Sequence, residues 1–489
     1  MMNEMTMIAP ASEQNDASMP GPYKVVAATS FGVFLSAMDA SIVNVSLVTM
    51  MNAFNVTIDA IQWVVVAYLL ILTSTMPLMG KLGDRYGKKR VFQLGMLIFS
   101  AGSFTCAVSI GFEMLVVSRV FQALGSAMLS ANGLALVTYF TTPQNRGRAI
   151  GLNSITLAAA LGSGPVLGGV LSEFFGWPSI FLVNIPIAII GFFAVQVILP
   201  NTELVHETRF DTIGATLFFL FLFLIVYYVS VAANTNIIMD TLFIGGAFFA
   251  FVGFILRERV FDSPVISINV LADKKISLSI FSALLAYMAS IPISYLLPFY
   301  LQEALGFSQV MTGIFLIIQP LMISVIGPLA GFMSERIDAK IQTTVGLLIE
   351  LSGVIVISFA VPNIFLMGVG AAIMGTGLSF FTVANGNFVM TAAPKKYMGV
   401  VSALVNLART TGFSVATALA TTVFGMFFLT FNLWGIQSGP VYVLNYELAY
   451  QSTVFMFSFL AIIAAILSSF RGLNQAEEER KDNTVILQS

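Results

Sequence analysis

The sequence predicts an all-α membrane protein of fourteen transmembrane helices, arranged as two six-helix bundles with two extra helices between them. Composition is the first reason: 57% of the 489 residues are hydrophobic and only 9% charged, against roughly a quarter charged in soluble domains. Mean hydropathy is +0.92. The second reason is a succession of apolar runs of spanning length, and the third is a repeat at an offset of 251 residues, from Pro77 to Pro328. The net charge of −2 says little, because in a membrane protein the side on which each charge lies matters.

Residues 1–23 are polar and short of bases, with Glu4, Glu13 and Asp16. They lack the basic start and short apolar core of a signal peptide and read as a disordered cytoplasmic tail. At about 20 apolar residues per span, six helices follow at 25–51, 60–80, 90–110, 113–138, 147–172 and 179–199. Residues 24–200 form the first bundle. A linker, 201–273, carries the inserted helices at 211–232 and 239–256. The second bundle, 274–471, holds spans at 277–301, 309–332, 342–361, 364–391, 399–430 and 449–470, and 472–489 is a second cytoplasmic tail.

Charge tests this count. Of 22 Lys and Arg, only Arg119 and Arg409 fall well inside spans; the others lie in or beside the N-terminal flank, the even-numbered gaps and the C-terminal tail. Each odd-numbered gap except the one near Pro362 offers an acid instead: Asp59, Glu113, Glu173, Asp240, Glu303 and Glu447. By the positive-inside rule both termini are cytoplasmic.

The repeat fixes the pairing of the halves. Pro77-Leu-Met-Gly80-Lys-Leu-Gly-Asp84-Arg85 recurs as Pro328-Leu-Ala-Gly331-Phe-Met-Ser-Glu335-Arg336. The fifth span, opening at Gly147, likewise faces the thirteenth, opening at Gly399. Paired bundles with a path between them are the architecture of secondary transporters. The stretch from Gly80 to Arg90 is too polar for hydrocarbon and reads as a tight turn at a membrane surface, its glycines allowing helix ends to approach. The one cysteine, Cys106, sits in an apolar run, which excludes an internal disulfide and reads as helix packing. His206 falls in the linker and suits neither a proton shuttle nor a metal site. No phosphate-cradling Gly-x-x-x-x-Gly-Lys-Ser/Thr sequence occurs, so the chain does not itself couple ATP hydrolysis.

Gly80, Leu82, Asp84, Arg85, Gly87, Lys88, Lys89 and Arg90 stand at the spacing of a known loop signature, and on them and on the motifs below the chain from Tyr23 onward resembles the major facilitator superfamily, and within it the fourteen-helix drug:proton antiporters. Met38-Asp39-Ala40-Ser41-Ile42-Val43-Asn44-Val45 is similar to the first-helix motif of the branch; Arg119, Gln122 and Gly125 fit the fourth-helix motif. Gly162-Ser-Gly164-Pro165-Val-Leu-Gly168-Gly169 fits the fifth-helix motif found in exporters. Pro298 to Phe307, and Asn406 to Arg409, add agreement in the second half. The resemblance implies a proton-coupled exporter of amphipathic cationic compounds, with protons as the coupling ion, no cofactor, no enzymatic activity and no nucleic-acid partner. It would sit as a multi-pass monomer in an inner or plasma membrane. Export of one physiological solute, or a sensor role without net transport, are the alternatives.

The residues give these roles a physical content. Asp84 can accept from a facing helix N-terminus, and Arg85 and Arg90 can pair with acids or lipid phosphates. The resemblance implies that Gly80, Asp84, Arg85, Gly87 and Arg90 latch the halves together on the cytoplasmic side, with Arg409 pairing to that loop or to backbone carbonyls. Simple anchoring accounts for Lys88 and Lys89. Gly162, Gly164, Gly168 and Gly169 leave a helix face without side chains, and Pro165 removes a backbone donor, a combination that suits a rocking contact between halves or plain close packing.

Asp39 lies near mid-bilayer, where a charge costs at least ~2.5 kcal/mol. It is read as the proton-coupling carboxylate, steadied by Ser41 and Asn44, with a structural role as the alternative. Glu350 is the second acid inside a span and a candidate second proton or cation site; its counterpart in the first repeat is Phe99. The resemblance implicates Arg119 in proton handling, and its guanidinium helps a nearby carboxylate to lose a proton. For the cavity, Asn44, Gln62, Trp63, Tyr68, Tyr287, Tyr295, Tyr300 and Gln319 supply aromatic faces and a few polar groups for lipophilic substrates; interfacial or lipid-facing placement is the other reading.

Overall fold

The computed structural model describes residues 21–141, 143–202, 211–231, 236–261, 271–334, 336–392, 398–432, 435 and 438–471. Most of both tails, His206 and Glu335 lie outside the described residues. Among those described, fourteen helices are long and apolar enough to cross a membrane, and no strand occurs. In chain order they are α1 (Tyr23–Phe54), α2 (Ile58–Tyr86), α3 (Lys88–Ala107), α4 (Phe112–Tyr139), α5 (Pro143–Phe175), α6 (Ser179–Ile198) and α7 (Thr212–Val231). Then come α8 (Ile237–Val260), α9 (Lys274–Ala304), α10 (Gln309–Ser334), α11 (Ala339–Ala360), α12 (Ile364–Ala392), α13 (Met398–Phe431) and α14 (Pro440–Ser469).

Lipid tails are as apolar as leucine, so association within each bundle relies on small residues that let backbones meet. Gly95 and Gly102 of α3 recur at the 251-residue offset as Gly346 and Gly353 of α11. A Cβ at Gly95 would stand 3.0 Å from the Gly125 carbonyl, and one at Gly102 would stand 2.6 Å from the Gln122 nitrogen, both on α4. At Gly346 it would lie 2.6 Å from the Phe381 nitrogen and at Gly353 2.7 Å from the Gly370 carbonyl, both on α12. The duplication is therefore visible in packing as well as in sequence.

The charged turn is shorter than its sequence suggests. Helix α2 continues to Tyr86 and α3 starts at Lys88, so Gly87 alone, at φ 95°, breaks the helix. Only glycine adopts that conformation freely, and the charges of the stretch ride on helix ends beyond the apolar core. Of its glycines, Gly83 makes the close approach, its absent side chain replaced by the Asn132 amide, while Gly80 has room for a methyl group. Lys88 pairs with Asp84. Lys89 is not a surface anchor: it is buried, and its ammonium donates to the Leu199 carbonyl at 2.5 Å and the Gln196 carbonyl at 3.2 Å, capping α6. Lys89→Met is expected to lower stability by about 1.5–3 kcal/mol, the worth of hydrogen bonds to a charged donor. A thermal melt in detergent checks this, with transport by the surviving folded protein unchanged.

The inserted helices pair with each other and lay α7 over the seam between α2 and α13. Trp63 of α2 meets Tyr227 of α7 with ring centroids 5.7 Å apart, and Thr422 of α13 donates to the Val229 carbonyl at 2.7 Å. At the other end of the pair, buried Asp211 accepts from Arg257 at 3.0 Å. Helix α7 thus bridges a helix of the first bundle and a helix of the second.

Contacts between the bundles gather at the end where the odd-numbered gaps carry acids, called here the acidic end. Asn52 of α1 donates to Glu303 of α9 at 3.2 Å, and Gln302 donates to the Val45 carbonyl at 2.9 Å. The Val310 amide of α10 donates to Glu173 of α5 at 2.8 Å, and the Gln309 amide meets the Thr49 hydroxyl. Nearer the basic end, the Asn406 amide reaches the Met76 sulfur at 3.4 Å.

Candidate functional site

Inside the first bundle four helices aim polar side chains at one point. Asp39 of α1 is fully buried. Its Oδ2 accepts from Arg119 Nη1 of α4 at 2.6 Å, and its Oδ1 accepts from Gln122 Nε2 at 2.7 Å and from Asn184 Nδ2 of α6 at 3.0 Å. Arg119 also donates to the Gln122 side-chain oxygen at 2.5 Å and, through Nε, to the Val64 carbonyl at 3.0 Å. Gln122 donates again to Ser103 of α3 at 2.8 Å. Above the guanidinium lies the Tyr68 ring, 4.0 Å from its carbon, and the Tyr68 hydroxyl donates to Ser126 at 2.8 Å.

This is an ion pair with its hydrogen bonds nearly complete. A buried pair is tolerated only when further donors and acceptors satisfy it, and here the arginine and two amides saturate the carboxylate. The network spans α1, α3, α4 and α6, so a change at Asp39 is felt by most of the bundle. Tyr68 belongs to this network and not to an open cavity.

The sequence singles out Asp39 and Arg119 separately; the structure joins them in one ion pair and gives Asp39 other supporting residues than Ser41 and Asn44. Ser41 donates instead to the Met38 carbonyl at 3.0 Å, and the Asn44 side-chain oxygen is buried with no hydrogen-bond partner among the described residues. The missed partners are Asn184 and Ser103. Asn184, a lone amide in the apolar run Ile180 to Val195, carries a signal that could have found it, since such groups in hydrocarbon need a partner. Ser103 carries none.

The latch residues find partners within their own half. Asp84 takes Lys88, Arg85 lies over the Tyr86 ring at 5.4 Å, Arg90 is exposed, and Arg409 donates to Asn406 at 2.6 Å and not to the Asp84 loop. The α5 glycines divide their contacts. Gly164 and Gly168 rest on Ser41 and Ile42 of α1, whereas Gly169 meets the Gln309 backbone of α10 and the Pro165 carbonyl meets Gly313. Gly162 faces Pro320 of α10.

The cavity residues do not converge. Gln62 is buried at the kink that opens α2, donating to the Asp59 carbonyl at 2.9 Å. Trp63 is covered by α7, Tyr295 is buried against Phe299 at 5.7 Å, and Tyr300 stacks on Tyr450 at 5.2 Å. Gln319 is half-buried with its backbone against Gly375, and Tyr287 meets Phe413 edge-on at 5.6 Å.

The Major Facilitator Superfamily profile matches residues 29–417. The chain belongs to that superfamily. It is 32% identical to riboflavin transporter RibZ of Clostridioides difficile over 443 residues, 90% of this chain and 95% of the relative. It is 28% identical to multidrug resistance protein Stp of Mycobacterium tuberculosis over 405 residues, 81% and 74% of the two chains. A solved structure of a bacterial homologue of the lysosomal transporter Spinster, inward-facing and occupied, aligns over 91% of this chain and 96% of its own with a TM-score of 0.64 at 14% identity. The superfamily member is thus a multi-pass membrane transporter, not an enzyme.

Proposed function

We propose that this transporter is a proton-coupled exporter of amphipathic, cationic compounds, working by alternating access as a single chain in the cell membrane. The basic end and both termini face the cytoplasm in this reading, so the geometry, joined at the acidic end, is inward-facing. The observation that carries it is the Asp39–Arg119 pair. Asp39 shares α1 with Val45, Thr49 and Asn52, which hold the second bundle at the acidic end. Protonating Asp39 removes the charge that fixes Arg119, loosens α1 against α4 and biases those contacts; the ligand shifts the equilibrium by its preference for one state. Export is supported by the α5 glycine motif at the α10 interface and by the resemblance to Stp.

A second reading is transport of one physiological heteroaromatic solute, favoured by the 32% identity to the riboflavin transporter. Inside-out vesicles loaded with a pH-sensitive dye separate the two. Each is challenged with a lipophilic cation, a neutral amphiphile, a zwitterion and riboflavin. Proton release triggered by several cations supports the exporter; a response to riboflavin alone supports the second reading. Silence with every compound under an imposed pH gradient overturns both.

A further inference from the structure

Glu350 lies midway along α11, about 16 Å from the start of the helix at 1.5 Å per residue. It is fully buried, and among the described residues neither carboxyl oxygen has a hydrogen-bond partner. The helix crossing around it is tight: a Cβ on Gly377 of α12 would stand 2.7 Å from the Glu350 Cα. No ionisable side chain occurs on α10 or α12. On α14 the register is set by Thr343 against Ser468 at 2.8 Å and Ser358 against Gln451 at 3.1 Å. That places Glu350 opposite the stretch from Phe457 to Ala461 and leaves Tyr450 about two turns away, stacked on Tyr300. On α9 Tyr287 packs against the cluster that holds Leu347 and Phe381, within the electrostatic reach of both Glu350 and Arg409 of α13.

The two bundles thus treat their buried acids in opposite ways. Asp39 has a guanidinium and two amides; Glu350 has none of these. At the position corresponding to Arg119, α12 carries Gly370. An ionised carboxylate without a donor in such surroundings is prohibitively costly, whereas a neutral carboxylic acid is not. We propose that Glu350 is a second proton site, occupied in the conformation seen here, with Tyr287 as the side chain linking it to Arg409 and the path between the bundles. Release then requires Arg409 and Tyr287 to approach as the bundles move. Proton transfer needs no other reactant: the O–H bond of the acid breaks and the proton leaves to water in the path.

The inference rests on the proton-coupled reading for its place in transport, yet the occupancy of Glu350 is measurable without any substrate. Infrared difference spectra of the full chain in lipid nanodiscs, titrated across neutral pH, report the C=O stretch of protonated carboxylic acids. The expected result is a band present in the unmodified protein and in Asp39→Asn, absent in Glu350→Gln and shifted in frequency in Glu350→Asp. In the vesicle assay Glu350→Gln should halve the protons released per substrate. A band that persists in Glu350→Gln overturns the proposal, as does an unchanged proton count in a Glu350→Gln protein with an ordinary melt. If no variant, the unmodified chain included, releases protons on substrate addition, the exporter reading fails while the infrared result still decides the site.

Discussion

Asp39→Asn is expected to abolish proton-driven transport, cutting substrate-triggered proton release by about 100-fold or more, equivalent to losing roughly 2.7 kcal/mol of differential binding. The asparagine keeps one acceptor oxygen for Gln122 and Asn184 and the shape of the aspartate, but it cannot change charge. Arg119 would keep the Val64 carbonyl, the Gln122 oxygen and the Tyr68 face. The protein should therefore fold with a lowered melting temperature. Asp39→Asn is the more damaging change for stability, because it leaves the Arg119 guanidinium, which cannot deprotonate, buried without its counter-charge, a loss of about 3–5 kcal/mol. Arg119→Met costs less, because Asp39 can take up a proton and stay neutral beside its two amides. The double variant Asp39→Asn/Arg119→Gln separates the two effects: melting should recover towards the unmodified value while proton release stays absent. Vesicle assays and calorimetry on the same three variants check this. Full proton release in Asp39→Asn would remove the pair from the mechanism.

What the sequence made legible, and what it did not, follows from what an apolar helix advertises. Span number and the duplication were readable because charge is confined to membrane surfaces and because Gly95 and Gly102 recur as Gly346 and Gly353. Asp39 and Arg119 each stood out as a charge inside a span, but that they pair with each other is seen only in the structure. Side-chain direction was not readable, since a helix bathed in lipid is apolar on every face and has no amphipathic stripe to orient it. Trp63 and Tyr68 therefore looked like cavity lining, yet one lies under α7 and the other on Arg119. Helix ends were misjudged for a related reason. Glu447 was placed in a gap, but α14 begins at Pro440 and Glu447 accepts from the Tyr300 hydroxyl at 3.3 Å. An acid at a helix end near the surface interrupts hydropathy without interrupting the helix.

Enlarging the α5 glycines should sort them by the helix each one meets. Gly162→Ala is expected to be silent, because its Cβ would stand 3.7 Å from Pro320, an ordinary contact. Gly168→Ala would drive a Cβ to 2.5 Å from the Ile42 carbonyl, inside the first bundle, so it should lower the melting temperature in every conformation. Gly169→Ala is different in kind. Its Cβ would stand 2.5 Å from the Gln309 carbonyl and 3.0 Å from the Val310 Cα, backbone atoms of the opposite bundle that cannot rotate aside. Overpacking costs about 1–3 kcal/mol. Here that cost falls only on conformations joined at the acidic end, which shifts the two-state ratio by about 5- to 150-fold towards those open there. Spin labels on exposed Glu113 and Asn363, one at the acidic end of each bundle, report the change as a longer distance distribution. The expected pattern is separation with loss of transport in Gly169→Ala, destabilisation without separation in Gly168→Ala, and neither in Gly162→Ala. Equal effects of Gly168→Ala and Gly169→Ala on stability, with no change in label distance, would reduce the motif to packing. The pattern expected makes α5 two-sided: one face builds its own bundle, and the other is the surface on which the bundles close.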